Sequence, residues 1–154
     1  MKVYIASPFF NEEQLERVKT IEKLLTSHDV EYFSPRRDTC VKPDSSDKER
    51  KLAFSDNLEA IRSSHFIIAV TDGKDVGTMF EAGYAFAEHV PILYFAETLG
   101  DRPFNLMLAM SGYFRICKSR EQLDKSIFNI SNAASFDEYA MQAEKEKSFE
   151  GEIE

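Results

Sequence analysis

Apolar and polar residues alternate between two periods along the chain. KVYIAS (Lys2–Ser7) is short and rich in β-branched and aromatic residues, which predicts a first strand, and Pro8 ends its ladder. Leu15, Val18, Ile21, Leu24 and Leu25 recur at helical spacing, predicting an amphipathic helix over 12–27, with Asn11 as its cap and Gln14 as the box partner. A second short strand is expected at Val30–Phe33. Residues 34–48, with two prolines and many polar groups, read as a long loop of the kind that often covers a binding site. Phe54, Leu58 and Ile61 mark a helix over roughly 46–63. His65–Val70 and Pro91–Ala96 are nearly continuous apolar runs, as expected of strands buried on both faces of a parallel sheet. A helix is expected over about 77–88 and a loop with a short helix over 97–112. A fifth strand is expected at Tyr113–Lys118 and a last helix at Arg120–Ile127.

Strands that alternate with helices imply a three-layer α/β fold, flavodoxin- or Rossmann-like, with a five-stranded parallel sheet flanked by helices. Such sheets bind ligands outside the carboxyl ends of their strands, near a switch in strand order. Three places follow: Ser7–Phe10, Thr71–Gly77, and the segment leading to Asn105.

The chain has 154 residues, 43% of them hydrophobic, enough for one domain with one core. We expect that domain over 1–130 and an acidic C-terminal segment over 131–154. The formal charge is −8, from 19 basic and 27 acidic residues, which argues against a nucleic-acid polymer as partner. Residues 137–154 alone hold seven acids and two lysines, a net of −5, so most of the excess belongs to the tail. MKVYIASPFF turns polar at Asn11, unlike a signal peptide, and no apolar run reaches the ~18 residues of a membrane helix. Cys40 and Cys117 lack zinc-site spacing and read as reduced thiols, so a cytoplasmic setting is expected. His28, His65 and His89 are scattered and suggest no metal.

Candidate chemistry concentrates in TDGKDVGTMFEAGYAF (71–86). Glu81 falls about one turn into the helix, where the helix dipole helps keep it ionised. Its neighbours Phe80, Ala82, Gly83, Tyr84 and Ala85 look buried, and a lone glutamate among them is costly without a role. An ionised glutamate facing a cleft can attack a sugar carbon. Gly77 permits a tight turn or close backbone approach to a ligand. The plainer alternatives are that Asp75 caps the helix and that Glu81 sits on a solvated face; Asp72 has no assignable task. Tyr84 and Tyr94 read as packing residues.

The run DVGTMFEAGYAFA, with YIASPFF before it and RPFNLM at 102–107, resembles the nucleoside 2-deoxyribosyltransferases over residues 2–118. The resemblance implies base exchange between 2′-deoxynucleosides and free nucleobases, with no metal and no cofactor. It implies Glu81 as the nucleophile at C1′, Asp75 as the residue that binds and helps protonate the base, and Tyr4 as the hydrogen-bond partner of Glu81. It also implies Asn105 on the base edge with Met107 of the same motif, and Phe10 lining the base pocket. Asn57 stands where the family carries an aspartate near the sugar hydroxyls; an amide binds a hydroxyl but takes no proton. Family members donate a terminal carboxylate to a neighbouring subunit's site, here Glu154, which implies a homo-oligomer, dimer to hexamer. Two rivals stand beside this reading. One is a 2′-deoxynucleoside 5′-monophosphate N-glycosidase on the same fold, kept open by Ser7, Ser111 and the Arg36–Arg37 pair. The other is a non-catalytic nucleotide-sensing module, against which Glu81 counts.

Overall fold

The computed structural model describes residues 1–39 and 41–133. Cys40, the acidic segment from 134 onward and the expected donor Glu154 lie outside the described residues. The elements run β1 (Lys2–Ala6), α1 (Glu12–Ser27), β2 (Glu31–Phe33), α2 (Pro35–Asp38), α3 (Asp47–Arg62), β3 (Phe66–Val70), α4 (Val76–Ala87), β4 (Ile92–Phe95), α5 (Leu106–Ser111) and α6 (Arg120–Ser131).

Local chemistry fixes the helix starts. Asn11 accepts the Gln14 amide at 2.9 Å, which satisfies one orphan helix donor, while Gln14 Oε1 accepts the Phe10 amide at 2.9 Å, one residue before the cap, so the expected box is not closed on Asn11 itself. Ser46 and Glu49 form a full capping box on α3. The segment expected as loop opens with α2, where Pro35 pre-sets the first turn.

The sheet is wholly parallel, in the order β2-β1-β3-β4. From β1 the chain moves one way to β2 and the other way to β3, so the switch point lies between the carboxyl ends of β1 and β3. Alternation along the strands feeds two cores. Val3, Ile5, Ile68 and Phe95 pack against α1 and α6. Tyr4, Ala6, Ile67 and Tyr94 pack against α3, α4 and α5. The buried face of α4 is Thr78, Ala82 and Ala85, small enough to bring the helix close to the sheet.

The expected fifth strand is a correction: four strands form, and 113–118 contributes a single parallel bridge, Phe95 to Cys117. Tyr113 still donates to the Ile92 carbonyl, and Cys117 to that of Tyr94. Phe114 and Cys117, three apart, enter the same core, and adjacent Tyr113 packs there as well. A strand turns successive side chains to opposite faces, so this pattern cannot be a continuous strand.

Candidate active site

β1 places Tyr4 with its ring fully buried, stacked on Phe33 of β2 at 5.7 Å and 11°. α4 places Glu81 opposite it. The Tyr4 hydroxyl donates to Glu81 Oε1 at 2.5 Å, joining two elements 77 residues apart in sequence. Burial raises the Glu81 pKa from 4.5 to about 7, the Tyr4 bond opposes that rise, and the charge of Asp75 adds to it. Burial first, and then the Glu81 charge, push the Tyr4 phenol well above its ordinary range, so it remains a donor. The pair is thus a carboxylate poised between its two protonation states and held by a permanent donor.

Asp75 caps α4: its Oδ2 accepts the Thr78 amide at 2.8 Å and the Thr78 hydroxyl at 3.0 Å. The plain structural role weighed for it is therefore present, and its charge also reaches Glu81. A Cβ at Gly77 would stand 3.1 Å from Asp75 Oδ2, so glycine leaves this carboxylate uncrowded. The turn before the cap places Gly73 at φ +78° and Lys74 at φ +51°, closed by the Lys74 amide on the Thr71 carbonyl. Asn57 on α3 accepts the Thr39 hydroxyl at 2.7 Å, so its amide oxygen already holds one hydroxyl.

The other expected residues stand apart. Asn105 caps α5 by accepting the Leu108 amide at 3.2 Å. It lines a cleft of about 650 Å³ at the carboxyl ends of β3 and β4, along with Met79, Thr98, Phe104 and Leu108. Met79 and Glu81 are two residues apart on α4, about 200° around the helix. They leave opposite flanks of its buried face, so the cleft and the Tyr4–Glu81 pair lie on either side of α4. Phe10 and Met107 are each 76% exposed, with Phe10 set against Phe9.

Two features had no signal in the sequence. Phe33 supports the Tyr4 ring, a contact that only strand order creates. Asp72 is buried and accepts the backbone amides of Glu97 and Thr98. Among the described residues, no group of three or more His, Cys, Asp or Glu is placed to hold a metal ion, and no helix is long and apolar enough to cross a membrane.

The family model for nucleoside 2-deoxyribosyltransferase matches residues 3–146. The 2-deoxyribosyltransferase of Bacillus psychrosaccharolyticus superposes with a TM-score of 0.71 at 29% identity, over 80% of this chain and 90% of that one. A Leishmania mexicana 2-deoxyribosyltransferase gives 0.50 at 25% identity, over 66% and 67%. A Clostridium botulinum CMP N-glycosidase gives 0.57 over 82% and 98%, and at 14% identity it shares the fold alone. No match was found among curated protein sequences. The chain belongs to the nucleoside 2-deoxyribosyltransferase family, whose members are enzymes acting on nucleosides.

Proposed function

We propose that the protein exchanges the base of 2′-deoxynucleosides through a covalent deoxyribosyl–Glu81 intermediate, with retention of configuration. The observation that carries this is the part-buried Tyr4–Glu81 hydrogen bond beside the switch point of the sheet. A Glu81 oxygen attacks C1′ as the C1′–N bond breaks, and the base leaves with a proton supplied through Asp75. A nitrogen of a second base then attacks C1′, returns its proton through Asp75 and frees the carboxylate. Two displacements retain the β configuration. Tyr4 holds the attacking carboxylate in place. Asn57 binds sugar hydroxyl, Gly77 leaves room for the ligand beside Asp75, and Phe10 covers the base with the 34–48 segment.

Asn105 lines the cleft on the far flank of α4, and Met107 is exposed on α5. On this reading their base contact, like that of the Glu154 carboxylate, is made to a neighbouring copy of the chain. The reading thus includes a homo-oligomer, with free bases and deoxynucleosides as its small-molecule partners in the cytoplasm.

The 5′-monophosphate hydrolase is the weaker reading because the groups that could neutralise a phosphate are engaged. Arg36 donates through Nη2 to Glu22 Oε2 at 2.5 Å. Arg37 is held by Asp38 and the Tyr32 carbonyl and lies 4.4 Å over the Tyr32 ring. Ser7 donates to the Pro8 carbonyl, and Ser111 is bonded to Tyr94 and Leu108.

The test mixes deoxyinosine or thymidine with a second base and follows new nucleoside against free deoxyribose, with a parallel arm using the 5′-monophosphate. Exchange on the free nucleoside supports the proposal. Release of deoxyribose 5-phosphate without exchange would replace it with the hydrolase.

A further inference from the structure

Asp72 takes no part in the proposed reaction, yet it is 7% exposed and fully engaged. Its Oδ2 accepts the Glu97 amide at 3.0 Å and its Oδ1 the Thr98 amide at 2.6 Å. Arg17 of α1, also buried, approaches the same carboxylate at 3.9 Å and donates to Glu97 Oε2 at 3.0 Å. Arg120 of α6 closes the group by donating to Glu97 Oε1 at 2.6 Å. One carboxylate thus ties the end of β3 to the first residues after β4, while two arginines brace the tie from the opposite layer.

The tied segment matters because of where it leads. Thr98 begins a run that lines the 650 Å³ cleft as far as Phe104 and Asn105, and Asp72 stands in the same lining. Phe104 in turn packs on Tyr94 with ring centroids 5.5 Å apart. The Tyr4–Glu81 pair is held by β1 and the middle of α4 and shares no bond with this tie. Asp75 keeps its own cap on Thr78. The two halves of the site therefore have separate supports.

We infer that Asp72 is a positioning residue that fixes the Asn105-bearing wall for the base, and that it leaves the covalent step at Glu81 alone. This rests on the base-exchange reading. An asparagine at 72 is close in shape, but it turns an NH₂ donor toward one of the two backbone donors. One N–H then loses its acceptor, and Arg17 loses the carboxylate it faces.

The test compares wild type and Asp72→Asn in steady-state base exchange, with amide hydrogen exchange on the same samples. The KM for the acceptor base should rise about tenfold or more, with kcat within about threefold of wild type and the acid limb of the rate profile unmoved. The amides of Glu97 and Thr98 should lose protection in the variant. A folded variant with unchanged KM overturns the inference. So does one whose kcat collapses at constant KM, because that places Asp72 on the Glu81 side. If the variant does not fold, wild-type exchange decides: both amides must be among the slowly exchanging ones, and rapid exchange refutes the tie. If wild type acts on no deoxynucleoside, the base-exchange reading fails, while the amide result still judges the tie.

Discussion

Replacing Glu81 by glutamine should stabilise the protein at alkaline pH, because the native fold suppresses the ionisation that the chemistry requires. Glu81 titrates near 4.5 in the unfolded chain and at about 7 in the folded one. Between those values the folded state holds more protons, so this group's contribution to stability falls as pH rises from 4.5 to about 7 and is flat beyond. Each pH unit in that window is worth about 1.4 kcal/mol, so charged Glu81 costs the fold about 3 kcal/mol at pH 8. Glutamine keeps the volume and an oxygen that can accept the Tyr4 hydroxyl. The variant should gain about 3 kcal/mol at pH 8, roughly 6–12 °C in Tm for a chain of this size, and nothing at pH 4.5. Paired thermal or urea melts across pH 4.5–8 measure the difference, and every group common to both proteins cancels. A variant no more stable than wild type at pH 8, or a gain that persists at pH 4.5, refutes the argument that burial governs Glu81.

Tyr4→Phe removes the hydrogen bond that favours charged Glu81, so the acid limb of the rate profile should move above about 7. A bond to a charged group is worth about 1.5–3 kcal/mol, so kcat/KM at pH 7 should fall roughly 10- to 100-fold. Asp75→Asn keeps a capping oxygen but removes the charge that raises Glu81, so on a rate lowered by the lost proton route the limb should move below about 7, while melts at pH 4.5 change little. Asp75→Ala shifts the limb the same way and adds about 1 kcal/mol of lost stability, seen in urea titration. Gly112→Ala would place a Cβ 3.0 Å from the Tyr94 ring, so it should destabilise by about 1–3 kcal/mol in the same assay.

The buried strands and long helices were readable because each carries one period over many residues; α1 runs over 12–27 as its apolar spacing requires. Tyr113–Cys117 misled because aromatic and aliphatic composition implies a strand, whereas only the placement of Phe114 and Cys117 in one core reveals a bent segment. The Tyr4–Glu81 pairing came from family resemblance, since nothing local in either segment points to a partner 77 residues away. Asp75 was legible as a cap, and the structure has it as one; the reach of its charge to Glu81 emerges only from the fold. Asp72 was opaque for the opposite reason: its partners are two backbone amides and an arginine from other elements, and no side-chain pattern encodes backbone amides. The separation of Asn105 from Glu81 follows from helix phase around α4, which requires knowing that Met79 faces the cleft.

The most direct test of the central claim is a mass measurement. Wild-type protein is incubated with a 2′-deoxynucleoside and no acceptor base, quenched, and analysed intact and as peptides. The account predicts a gain of one deoxyribosyl group on the peptide that contains Glu81, lost when an acceptor base is added and absent from Glu81→Ala. Base exchange that proceeds with no adduct, and survives in Glu81→Ala, would contradict it.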